Sequence, residues 1–123
     1  MIWSTSLFNW EKFYDLAVAL KDREEEEYKR TVISRAYYSA YGRTRQYLES
    51  RGLVLTNYQN AHRVIWDNCY RVRLNEVSVI GDRLKRKRQK ADYESEISAI
   101  DRLVKDSIAE AQKIHQFLNE KEK

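Results

Sequence analysis

Residues 28–48 read YKRTVISRAYYSAYGRTRQYL, and this stretch decides the fold. Ile33, Ala36, Tyr37, Ala40, Thr44, Tyr47 and Leu48 recur at the steps that put side chains on one face of an α-helix. Most of them are small or aromatic, which suits close approach by neighbouring helices. The spacing predicts one long helix running on to Ser50 or Arg51, with Gly52 as its C-terminal stop. Arg35, Arg43 and Arg45 share this segment with its tyrosines, so it carries charge as well as core.

The other segments read as helices that cover it. A first helix is expected from about Phe8 to Lys21, capped by Ser6, with Trp10, Phe13, Leu16, Ala17 and Leu20 inward. The acidic run Glu24 to Glu27 reads as a connection or as the first turns of the long helix, where carboxylates favour the positive helix end. After an apolar anchor at residues 53–55, Thr56 or Asn57 caps a third helix carrying Ala61, Val64, Ile65, Cys69 and Val72, with Trp66 at its flank. A fourth starts near Arg73 to Asn75, turns Val77, Ile80, Gly81 and Leu84 inward, and ends in Ala91-Asp92-Tyr93. A fifth starts at Ser95 or Glu96 and carries the stripe Ile97, Ile100, Val104, Ile108, Ala111, Ile114 and Leu118. No repeat or boundary divides residues 1–123. The expectation is a single all-α domain, an up-and-down bundle of four or five helices.

Composition agrees. The 123 residues include no proline and three glycines, and helix breakers are that scarce only where helices are long. Hydrophobic residues make up 42%, enough for one core. No apolar run approaches the ~18 residues that a membrane helix needs. The opening MIWSTSLFNW has neither the basic flank nor the apolar centre of a signal peptide. Cys69 is the only cysteine, so no internal disulfide forms and a reducing cytoplasm is the natural setting. His62, His115 and Cys69 are too few and too scattered to suggest zinc, and neither metal nor cofactor is expected.

Charge is unevenly placed. The net charge is +4, from 23 basic and 19 acidic side chains. Six of the basic ones, Arg83, Lys85, Arg86, Lys87, Arg88 and Lys90, lie in residues 83–90, which leaves 17 basic against 19 acidic elsewhere. Such a run is either a patch for a polyanion such as RNA or a solvated helix face. As a patch it would bind mainly through phosphates, without reading bases.

Three pieces carry a resemblance. The first is Arg35-Ala36-Tyr37-Tyr38 within residues 33–41. The second is His62, followed by an apolar helix after a glycine-containing loop. The third is Leu84, Arg88 and Ala91-Asp92-Tyr93. In this order they resemble the HEPN domain family, with its Arg and Tyr-Tyr helix, here Arg-x-Tyr-Tyr, and its Arg-x-x-Ala-Asp-Tyr helix ending. The resemblance implies an all-α bundle that commonly forms a homodimer. Many relatives are metal-independent RNases of toxin–antitoxin and phage-defence systems, others bind RNA or nucleotides without catalysis, and many are encoded beside a nucleotidyltransferase. That neighbour, or a larger defence complex, is the partner it implies.

The sequence departs from the nuclease pattern Arg-x4-6-His. Residues 55–57 and 108–110, where an Arg would precede His62 or His115, hold none. In the fourth helix Tyr93 stands where the His would follow Arg88. Cleavage through a 2′-hydroxyl needs a base and an acid; an imidazole titrates near neutrality, whereas a phenol with its usual pKa of about 10 stays protonated. Arg88 can still hold a phosphate in a bidentate pair. The anion-binding half of a nuclease site is present and the proton-transfer half is not, so the expected function is RNA or polyanion binding. An endoribonuclease with an atypical site and a structural partner of a second protein are the alternatives.

Each candidate residue has a second reading. Arg35 meets substrate phosphate, or is a partly buried Arg paired with Asp92 or a glutamate. Asp92 orients Arg35, Arg88 or Tyr93, or caps the helix. His62 supplies acid–base chemistry if folding brings it to Arg88, or is a capping or surface histidine. Tyr37 reads as core, and Tyr38 and Tyr41 are open to interface roles. His115 is expected to face solvent or pack at an edge.

Overall fold

Helix α2 (Glu26–Ser50) is the axis of the structure, a computed structural model that describes residues 7–55 and 59–123. Four further helices pack around it: α1 (Glu11–Leu20), α3 (Ala61–Arg71), α4 (Asn75–Tyr93) and α5 (Ile100–Lys121). The described residues contain no strand. The expected stripe of α2 is buried along its whole length, from Ile33 to Leu48. Fully burying side chains such as Ile33 and Leu48 contributes about 1.5–3 kcal/mol each. Serine, threonine, alanine and glycine between them let α2 touch all four other helices.

The neighbours form an arc around α2 in the order α1, α5, α4, α3, each packing on the next. Ion pairs report their directions. Lys29 meets Asp101 at 2.6 Å near the starts of α2 and α5, and Arg43 meets Glu122 at 2.8 Å near their ends, so these helices are parallel. Arg30, near the start of α2, bonds the carbonyls that end α4, so α2 and α4 are antiparallel. Strict alternation along the chain would make α2 and α4 parallel. The expected up-and-down order is therefore broken between α2 and α4.

Gly52 takes a φ of 101°, the left-handed conformation expected of a helix stop, and its N–H bonds Glu49 O. Glu24 and Glu25 belong to the connection, whereas Glu26 and Glu27 form the first turn of α2. The expected caps Ser6, Thr56 and Asn57 lie outside the described residues.

Several expectations are corrected. Leu16 is 42% exposed, and Val72 lies past the end of α3 at 39% exposed. Helix α5 starts at Ile100 rather than Ser95, because Arg30 takes the carbonyls of Glu94 and Ser95 and holds that segment in an irregular link. Trp66 is buried, not flanking, because α3 lies between α2 and α4 and has two covered faces. His115 is buried for the same reason, since α5 packs on α1, α2 and α4. Among the described residues no helix is long and apolar enough to cross a membrane.

Candidate functional site

Helix α4 delivers a charge into the bundle. Leu84, Arg88 and Ala91 fall on its buried face, and Arg88 is only 7% exposed. Its Nη1 donates to Asp92 Oδ2 one turn on, at 3.4 Å, a long bond and therefore a weak one. Its Nε is buried with no hydrogen-bond partner among the described residues. The guanidinium lies instead near the rings of Tyr37, Tyr38 and Tyr93, at 5.3, 5.7 and 5.9 Å from their centroids. Ring faces attract a cation, but a buried charge with one stretched ionic contact remains under-compensated.

Beyond Tyr37 the polar chain continues onto α3. Tyr37 Oη accepts the indole N–H of Trp66 at 3.1 Å and lies 2.6 Å from His62 Nδ1. An indole N–H only donates, whereas the phenol can either donate to Nδ1 or accept from it, so the His62 tautomer sets the direction of that bond. Tyr41 stacks on the imidazole at 4.2 Å. Burial first, then the charges of Arg88 and Lys85, hold His62 down at a pKa of about 4. Burial also pushes the Tyr37 phenol above its ordinary value, partly offset by Trp66 and Arg88.

This electrostatics limits the chemistry. At pH 7 an imidazole with a pKa near 4 is charged about once in a thousand molecules, so it is a poor proton donor. Its Nδ1 is engaged with the Tyr37 hydroxyl at 2.6 Å, which leaves Nε2 as the nitrogen not held by that bond. Tyr93 is 76% exposed at the end of α4. The arrangement sets cationic side chains beside an imidazole that is mostly neutral at pH 7.

Arg35 borders the same region from α2. Its guanidinium lies 5.0 Å from the ring centroid of Phe13 and 5.8 Å from that of Tyr38. The expected pairing with Asp92 or a glutamate does not form among the described residues, because Asp92 turns to Arg88 on its own helix. Arg35, Ser34, Asp92 and Tyr93 line an open cleft of about 410 Å³. Arg30 closes one side, donating to Ala91 O, Glu94 O and Ser95 O at 3.0, 2.6 and 3.1 Å.

The basic run is largely neutralised within the fold. Arg83 and Lys87 share Glu110 at 3.4 and 2.6 Å, and Arg86 pairs with Asp82 at 2.7 Å. Lys85 and Lys90 carry no ion pair among the described residues. The run is therefore not one continuous cationic face.

The structure thus brings Arg88, Asp92, Tyr93 and Arg35 together, and links His62 to them through Tyr37. Sequence reasoning missed the polar role of Tyr37, the indole of Trp66 and the Arg30 clamp. A tyrosine inside an apolar stripe did signal that a hydroxyl would need a buried partner. A second constellation, Ser39–His115–Glu11, only imitates a hydrolase triad. His115 Nε2 lies 3.1 Å from Ser39 Oγ, but Ser39 is fully buried and its hydroxyl donates to Ala36 O. Burial pushes the Cys69 thiol up to about 12, too high for a nucleophile. Among the described residues no three His, Cys, Asp or Glu side chains stand where they could hold a metal ion. Comparison with protein-family models, curated proteins and solved structures gives no match for this chain.

Proposed function

We propose that this chain is a HEPN-like, homodimeric module that binds RNA or another phosphate polyanion at the cleft lined by Arg35, Asp92 and Tyr93, beside Arg88, within a toxin–antitoxin or phage-defence type system. One observation carries the reading. Arg88 is a nearly buried guanidinium whose only carboxylate lies 3.4 Å away and whose Nε has no partner among the described residues. Arg88 stands behind Asp92 and Tyr93, which line the cleft, so its charge acts on a phosphate there from beneath them. Arg35, with no carboxylate partner among the described residues, adds a second cation beside Tyr38. The resemblance supplies the homodimer and the biological setting.

A second reading, an endoribonuclease using Arg88 with His62 or Tyr93, draws on the link through Tyr37 between His62 and the ring beside Arg88. One experiment separates the two. RNA binding and RNA cleavage are measured in parallel for the wild-type protein and for Arg35→Ala, Arg88→Ala and Tyr93→Phe. Binding without cleavage, weakened by salt and by either arginine change, supports the module. Cleavage lost with Arg88 or Tyr93 supports the enzyme. No binding of RNA, DNA or polyphosphate sinks the polyanion reading, and Arg35 keeps that test independent of any folding defect in Arg88→Ala. Sedimentation of the purified protein as a monomer at micromolar concentration would overturn the homodimer.

A further inference from the structure

A second cleft, of about 370 Å³, lies between α3 and α4. Its lining has a basic excess, Arg63, Arg83, Lys85 and Arg86 against Asp67 and Asp82. Arg83 and Arg86 are paired with carboxylates, whereas Arg63 and Lys85 have no ion pair among the described residues. Two aromatic residues frame it. Trp66 is buried, and Tyr70 is 53% exposed. Exposed tyrosine beside free cations is the combination that holds a phosphate and the base next to it.

Both clefts draw on α4, and buried Arg88 lies between their linings along that helix. Lys85 precedes Arg88 by three residues, so the two are neighbours on one face of α4. Arg63 follows His62 on α3, and both Lys85 and Arg88 act electrostatically on that imidazole. Asp82 in one cleft and Asp92 in the other are separated by roughly 15 Å along the helix axis.

We infer that the α3–α4 cleft is a second phosphate subsite, filled by a single-stranded nucleic acid that runs along α4 from the Arg35 cleft and lays one base on Tyr70. The inference rests on the polyanion reading above and adds to it a strand requirement. A base in a duplex is stacked on its neighbours and cannot reach a tyrosine face, whereas an unpaired base can.

The test follows three probes by fluorescence anisotropy or competition across a salt series: a single-stranded RNA, the same RNA annealed to its complement, and inorganic polyphosphate. The single strand is expected to bind more tightly than the duplex. Tyr70→Ala should weaken single-strand binding by about tenfold and leave polyphosphate unchanged, with Tyr70→Phe restoring it. Arg63→Ala and Lys85→Ala should each lower the salt slope for the single strand by about 0.7. Arg63 and Tyr70 are exposed and Lys85 is half-buried, so the fold should survive. Unchanged binding in Tyr70→Ala, unchanged slopes, or tighter duplex binding overturns this subsite. If Arg35→Ala still weakens binding in that case, the parent reading stands; if the wild-type protein binds none of the probes, both fall.

Discussion

Gly81→Ala is expected to destabilise the protein by about 2–3 kcal/mol, although alanine is the better helix former. Gly81 lies in the middle of α4, and a methyl group built there overlaps the indole of Trp66. On propensity alone the change would stabilise by about 1 kcal/mol. The ring has little room to yield: Trp66 is 3% exposed, its Nε1 donates to Tyr37 Oη, and its edge meets Tyr41 at 6.3 Å. Overpacking of this kind costs about 1–3 kcal/mol, here at the upper end, and displacing the indole from Tyr37 costs about 1 kcal/mol more. The assay is urea unfolding followed by circular dichroism, with Trp66→Leu and the double variant completing a cycle. The clash requires the double variant to be more stable than the two single effects sum to, by at least 1 kcal/mol. A Gly81→Ala protein as stable as wild type, or an additive cycle, would refute the argument that this glycine sets the α3–α4 approach.

Arg30→Ala should cost about 2 kcal/mol, because it strips charge-assisted bonds from the carbonyls of Ala91, Glu94 and Ser95; amide exchange at residues 91–99 should quicken, and unchanged protection there would contradict the clamp. Burial lowers the pKa of His115 in the folded state, so the unfolded chain binds more protons below its value of 6.5. Stability from this group is therefore full above pH 6.5 and is lost as pH falls towards the folded pKa; His115→Gln should flatten the pH 7 to 5 stability profile, and an identical profile would argue against the buried neutral ring. Neutralising Arg88 with a phosphate should raise the pKa of His62 from about 4, only in part because burial is the larger cause. By linkage, polyanion affinity should then rise as pH drops from 7 towards 4 more in wild type than in His62→Gln, and equal pH profiles would count against the coupling.

The fold was legible because its strongest signal, the α2 stripe, obeys one period over its full length. The same logic placed Val77, Ile80, Gly81 and Leu84 inward on α4, and all four are buried. It failed where a helix has more than one covered face. A single apolar stripe left Trp66 beside the core on α3, yet α3 is wedged between α2 and α4 and the indole fills the space over Gly81. The start of α5 was misread because apolar spacing continues back to Ile97, whereas the helix is stopped by backbone carbonyls committed to Arg30 on a distant segment. No local pattern reports a partner that far along the chain.

The site was half legible for a related reason. Arg88 and Asp92 lie one turn apart on one helix, so their pairing could be anticipated from spacing. His62 precedes Arg88 in sequence and sits on another helix, and a search for Arg-x4-6-His cannot see it. What links them is Tyr37, whose ring faces the guanidinium while its hydroxyl bonds the imidazole. The same link bears on whether His62, brought towards Arg88, can do acid–base chemistry. The cation that would attract phosphate also helps keep His62 neutral, and burial of the same cluster does so more strongly. An arginine and a histidine share proton-transfer work only where the histidine retains water or a carboxylate to stabilise its charged form, and here its bonded partner is a phenol that burial also disfavours ionising.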